Sequence, residues 1–129
     1  MTKARSTVAV VDDDPRVVES LADLLESAGC RVRRFSSAEA LLVSGLSDMD
    51  LLITDIGMPG IDGFELRDRV KKARPDLPIF LITGRHETTD PERALGAAGF
   101  FRKPFDGQIL LAAVVDALRD REAEDRHDS

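Results

Sequence analysis

Leu51-Leu52-Ile53-Thr54-Asp55-Ile56-Gly57-Met58-Pro59-Gly60-Ile61-Asp62-Gly63 is an apolar run that stops at a carboxylate and gives way to a turn dense in glycine. The run lacks the polar alternation of a half-solvated strand, which predicts a strand buried on both faces. The glycine-rich turn after it predicts a backbone held close to something else. Three further runs have the same form. Thr7-Val8-Ala9-Val10-Val11 ends at Asp12 and Asp13, Ile79-Phe80-Leu81-Ile82 ends at Thr83, and Phe100-Phe101-Arg102 ends at Lys103. If these strands lie parallel, an acid pair, a lone acid, a hydroxyl and an amine converge on one edge. Such a set suits a divalent cation and a phosphoryl group.

The intervening segments read as helices. Asp14 and Pro15 make a helix start, a carboxylate cap followed by proline at the first position. Val17, Val18, Leu21, Leu24, Leu25 and Ala28 then recur at helical spacing, and Gly29 supplies the stop. Arg31 to Phe35 is a short strand whose polar alternation predicts a sheet edge. Ser36 and Glu39 form a capping box ahead of a helix near 37 to 45. Phe64 to Arg74 restores a helix that Pro75 ends, and Pro78 opens the strand running to Thr83. Pro91 lies in the first turn of a fourth helix. Asp106 caps a fifth, with an apolar stripe of Ile109, Leu110, Ala113, Val114, Ala117 and Leu118. From Arg119 the chain is almost wholly charged, and either extends this helix into water or frays.

Strands alternating with helices predict an α/β fold, a five-stranded parallel sheet, doubly wound, with the flavodoxin-like order 2-1-3-4-5. Ligands in such sheets bind beyond the carboxyl ends of the strands, where Asp12, Asp13 and Asp55 would lie. The expected organisation is an N-terminal extension (1–6), one domain (7–118) and a charged tail or start of a linker (119–129). At 129 residues and 14.1 kDa, with 43% hydrophobic residues, the chain has room for a single core. A net charge of -6 argues against direct nucleic-acid binding, which relies on a clustered basic surface. Cys30 is the only cysteine, so no intrachain disulfide forms. No stretch approaches the roughly 20 apolar residues that span a bilayer, and the apolar region after the basic start is too broken for a signal peptide. The expectation is a cytoplasmic protein without membrane association.

The chemistry of the acidic edge follows from repulsion. Two carboxylates about 4 Å apart repel by about 4 kcal/mol at an effective dielectric of about 20, so the group calls for a cation. Mg²⁺ takes oxygen ligands, keeps several waters and is held by one or two carboxylates plus substrate phosphate. Asp13 and Asp55 are expected as direct ligands, Asp12 through water, and Gly57 through its backbone carbonyl. A carboxylate can also attack phosphorus to give an aspartyl phosphate. Lys103 is the ammonium placed to stabilise the transferring group, and Thr83 a hydroxyl that donates to the phosphate once it is present.

With Val10-Val11-Asp12-Asp13-Asp14, Thr54 to Gly63, Leu81-Ile82-Thr83-Gly84 and Arg102-Lys103-Pro104-Phe105 in order, the chain resembles the receiver domain of two-component response regulators over roughly residues 7 to 118. Its Thr-Gly pair and Lys-Pro-Phe ending look most like the FixJ-like branch. The resemblance implies that Asp55 is the phosphoacceptor and that Asp12 and Asp13 are the acidic pair, with Mg²⁺ as cofactor and Mn²⁺ as a substitute. It implies that Thr83 and Lys103 contact the phosphate and that Thr83 and Phe100 are the switch residues, although the Phe100-Phe101 doublet also allows the neighbour to point inward. It further implies phosphoryl transfer from a histidine kinase or phosphotransfer protein and a two-state shift. The output is a downstream protein partner or a removed output domain, with a phosphorylation-dependent homodimer through the fourth helix, fifth strand and fifth helix. Such a domain is a signalling unit that catalyses only its own phosphorylation and dephosphorylation.

Two other readings remain open on sequence. Asp12-x-Asp14 after an apolar strand, with Thr83 and Lys103 downstream, partly matches a haloacid-dehalogenase-type phosphatase with Asp12 as nucleophile. A receiver-like module that works without phosphate is the other. The segment from Thr83 to Lys103 also looks short for the family, which predicts a short or displaced fourth helix, and Arg85 could lie over the pocket mouth.

Overall fold

The computed structural model describes residues 5–84 and 98–127. The predicted fourth helix at Pro91, and Arg85, lie outside the described residues. Five parallel strands, β1 (Thr7–Val11), β2 (Arg31–Phe35), β3 (Leu51–Asp55), β4 (Ile79–Thr83) and β5 (Gly99–Arg102), form one sheet in the order β2-β1-β3-β4-β5. The three central strands are buried at every position, as continuous apolar runs require when helices cover both faces. β2 mixes exposed and half-buried residues, with none fully buried, and closes one edge.

Because successive strand residues face opposite sides, the core divides in two. On one face Ala9, Val11, Leu52 and Leu81 pack with Leu41 of α2 (Ala38–Ser44) and with Phe64, Leu66 and Val70 of α3 (Gly63–Ala73). On the other, Val8, Val10, Ile53, Phe80 and Ile82 pack with Leu21 and Leu25 of α1 (Pro15–Ser27) and with Leu110, Val114 and Leu118 of α4 (Gly107–His127). Fully burying one such side chain contributes about 1.5–3 kcal/mol, so these two layers dominate the stability.

Helix ends follow the expected chemistry with one correction. Asp14 caps α1 by accepting from the Arg16 amide at 2.9 Å, and Gly29 ends it with φ of 92°. Asp106 caps α4 through the amide of Gln108 at 2.9 Å. The capping box of Ser36 and Glu39 does not form. Ser37 is the cap of α2, accepting from the Ala40 amide at 3.1 Å, and Glu39 turns towards another loop. The stripe on α4 is also narrower than expected. Ile109 is 62% exposed, since the face that meets the sheet runs through Leu110, Val114 and Leu118 at four-residue spacing. Beyond Leu118 the charged end continues the helix to His127.

Candidate functional site

Register brings the expected residues to one edge. Val11 pairs with Thr54, Asp55 with Ile82, and Thr83 with Arg102, so Asp12, Asp55, Thr83 and Lys103 all stand at the carboxyl ends of adjacent strands. Backbone bonds continue the ladder there: the Ile56 amide donates to the Ile82 carbonyl at 2.8 Å, and the Lys103 amide to the Thr83 carbonyl at 2.8 Å. The Lys103–Pro104 peptide is cis.

Asp12 and Asp55 are buried, at 1% and 2% exposure, whereas Asp13 faces solvent. One carboxylate oxygen from each of the three lies within 4.8 Å of the others. Lys103 spans the buried pair, its Nζ 2.8 Å from Asp12 Oδ2 and 3.5 Å from Asp55 Oδ1. Asp12 Oδ1 accepts from the Asp14 amide at 2.9 Å, which pins the loop over the end of β1. Burial pushes the Asp12 carboxyl above its ordinary 3.8, against the opposing pull of Lys103 and the Asp14 amide and with a smaller push from the Asp13 charge. Burial acts on Lys103 in the downward direction, but the facing carboxylates of Asp12 and Asp55 outweigh it and hold its amine above 10.5. The lysine therefore stays cationic between the two acids.

An all-oxygen donor set of three acids, two of them desolvated, is what a hard divalent cation takes, and it offers nothing to a soft metal. Gly57, two residues past Asp55, is exposed at the start of the turn. Gly63 has a role in this turn that glycine density alone does not specify. Its amide donates to the Ile56 carbonyl at 2.9 Å, and a β-carbon there would run into the Asp55 carbonyl oxygen and come within 2.7 Å of Ile56 Cα. The glycine density was the signal that this loop folds back on the end of β3.

Thr83 is buried at the end of β4, with its hydroxyl 3.4 Å from the Gly84 carbonyl. The phenylalanine doublet divides between the two faces. Phe100 packs half-buried against the core beneath α2 and α3, while Phe101 packs on the opposite face with its ring 5.7 Å from that of Phe80. Phe100 is thus the member of the pair on the face away from α1 and α4.

A phosphatase with Asp12 as nucleophile would use Asp14 as a second acid in the site. The carboxylate of Asp14 is instead committed to the α1 amide and to the Arg16 guanidinium at 3.3 Å, and it falls outside the three-acid cluster. That guanidinium holds the Asp14 carboxyl below its ordinary value. The haloacid-dehalogenase reading is not favoured.

Comparison with known proteins agrees. Residues 8–115 match the model of the response regulator receiver domain. The transcriptional regulatory protein FixJ of Azorhizobium caulinodans is 42% identical over 114 residues, which are 86% of this chain and 54% of that protein. FixJ of Bradyrhizobium diazoefficiens is 39% identical over 119 residues, 89% of this chain and 58% of that one. The chain thus spans about half the length of these curated relatives. Among solved structures, FixJ-N superposes with a TM-score of 0.77 at 32% identity, covering 92% of this chain and 96% of that one. A CheY-like receiver from Methanospirillum hungatei gives 0.85 at 27% identity, covering 93% and 98%. With the order 2-1-3-4-5, the acidic edge and these matches together, the chain belongs to the response regulator receiver domain family and is a FixJ-like member of it.

Proposed function

We propose that this receiver takes a phosphoryl group on Asp55 from the phosphohistidine of a partner histidine kinase or phosphotransfer protein. An Asp55 oxygen forms the new bond to phosphorus as the bond from phosphorus to the donor nitrogen breaks, and the leaving imidazole takes up a proton. Asp12, Asp13, Asp55 and the Gly57 carbonyl would hold Mg²⁺, or Mn²⁺ in its place, which when bound neutralises charge on the phosphoryl oxygens. Lys103 supplies the opposing cation and Thr83 a hydroxyl donor. The observation that carries this reading is Lys103 Nζ lying 2.8 Å from Asp12 and 3.5 Å from Asp55, an ammonium already poised beside the candidate nucleophile.

Residues 7–118 are the receiver unit in this reading, with 119–129 a charged tail or the start of a linker. Phosphorylation biases a two-state equilibrium by the phosphate's differential affinity for the two states, read through Thr83 and Phe100. The affected surface, which includes β5, would meet a downstream partner, an output domain or a second copy in a phosphorylation-dependent homodimer. Among the described residues no helix is long and apolar enough to cross a membrane. The work is signalling in the cytoplasm.

Incubation with acetyl phosphate and Mg²⁺ tests the assignment. The wild-type chain is expected to gain one acid-stable, hydroxylamine-labile phosphate, and Asp55→Asn to gain none. Undiminished labelling in Asp55→Asn, with the phosphate on Asp12, would sink it, and an absence of any Mg²⁺-dependent change would favour a phosphate-independent module.

A further inference from the structure

Glu39 stands in the first turn of α2, where its local role would be to meet the helix N-terminus. Its carboxylate points elsewhere. The Ile61 amide, in the turn between β3 and α3, donates to Glu39 Oε2 at 3.4 Å. Gly60 beside it has φ of +78°, and a β-carbon there would stand 2.5 Å from the same oxygen. Glycine at 60 thus serves two ends: it allows the left-handed turn, and it leaves the space the carboxylate fills.

The turn is otherwise held at its base. The Ile56 carbonyl accepts from both Met58 at 3.1 Å and Gly63 at 2.9 Å, closing the loop at its root, and Asp62 caps α3 through the Glu65 amide at 2.9 Å. At the tip, Glu39 reaches across from α2. We propose that Glu39 is a positioning residue that clamps the tip of this turn and so fixes the backbone at Gly57, the carbonyl assigned above to the metal. The inference rests on that reading of the metal site and extends it to a residue 16 positions before Asp55 in a different element. Groups beyond the direct ligands commonly set ligand orientation in this way. At 3.4 Å the bond is long and solvent-exposed, so its effect on metal affinity is modest.

Two variants and two readouts test it. In metal-free protein, Glu39→Ala is expected to speed hydrogen exchange at the Ile61 amide severalfold while leaving the urea midpoint in place. By titration calorimetry it is expected to weaken Mg²⁺ by about two- to fivefold. Glu39→Gln keeps an acceptor oxygen and should restore both values. Unchanged Ile61 exchange in Glu39→Ala overturns the clamp, and wild-type Mg²⁺ affinity in that variant overturns its influence on the metal. Equal behaviour of Gln and Ala overturns the hydrogen bond as the cause. If the wild-type chain binds no Mg²⁺ while Ile61 exchange still responds, the metal reading fails and the clamp stands.

Discussion

Lys103 is the residue on which the acidic edge turns. Removing it takes an ammonium away from two buried carboxylates, so Lys103→Ala should lose about 1–3 kcal/mol of stability at neutral pH without metal, read from urea denaturation. Its amine is held above 10.5, so its contribution is present throughout the range below that value and is lost only as pH rises through the higher folded-state value. Asp12 acts in the same direction, lower on the pH scale. Its raised carboxyl means that ionisation in the fold is costly and that stability falls as pH rises from 3.8 through its folded-state value. In Lys103→Ala that fall should be steeper, and the variant should recover towards wild type in acid. It should still bind metal, while phosphate-driven switching is impaired. Gly63 is the second sensitive position. Gly63→Ala forces a methyl onto the Asp55 carbonyl and the Ile56 backbone, and should cost about 1–3 kcal/mol and slow Asp55 labelling, because the backbone that must shift carries the proposed phosphoacceptor. A variant of unchanged stability and labelling rate would contradict the close packing of that turn.

At the scale of elements, α4 is tied to the opposite end of the sheet by Arg121. Its guanidinium lies 2.9 Å from the Asp76 carboxylate and 3.7 Å from Asp50, and Asp50 in turn accepts from the Thr7 amide at 2.8 Å at the start of β1. Arg74 joins the same carboxylate at 3.5 Å and donates to the Leu46 carbonyl at 2.7 Å. Burial acts to raise Asp76, but the hydrogen bonds from Arg74 and Arg121 prevail and hold its carboxyl below 3.8. A lowered carboxyl stabilises above its unfolded value and loses that contribution as pH falls through the folded one. Asp76 is more than half exposed, so solvent screens the pair. Arg121→Met should therefore cost no more than about 1 kcal/mol at pH 7, and the gap to wild type should narrow in thermal melts taken below pH 3.8. A gap that stays constant into acid would mean that Arg121 acts through packing alone.

For the whole molecule, the acidic cluster couples folding to metal. The proposed site exists only when β1 and β3 are paired, so Mg²⁺ binds the native state and not the unfolded chain. At about 100 times its Kd it should add about 2.7 kcal/mol, seen as a rise of several degrees in Tm that a chelator reverses. Asp13→Asn should shrink the rise without lowering the metal-free Tm, because its carboxylate is already in solvent. In the proposed function the same coupling would carry the signal outward, through a group bound at the strand ends beside β4 and β5, where Thr83 and Phe100 reside.

Much of this was legible in the order of residues. Apolar runs ending at Asp12, Asp55, Thr83 and Lys103 announced both a covered parallel sheet and the edge where these residues gather, because strand burial and turn chemistry are local properties of the chain. Asp14, Pro15 and Gly29 marked α1 for the same reason. What required the tertiary structure was everything set by register and by distance along the chain. Lys103 meets Asp12 from 91 residues away only because β1, β3, β4 and β5 align their carboxyl ends. The doublet Phe100-Phe101 is ambiguous by one residue, and strand parity decides which ring faces which core. Ser36 and Ser37 both fit a cap, and the choice fell to the one whose hydroxyl reaches the Ala40 amide, which freed Glu39 to reach the turn after Asp55. Local pattern specified which residues would end the strands; pairing register, which no short segment contains, decided which of them touch.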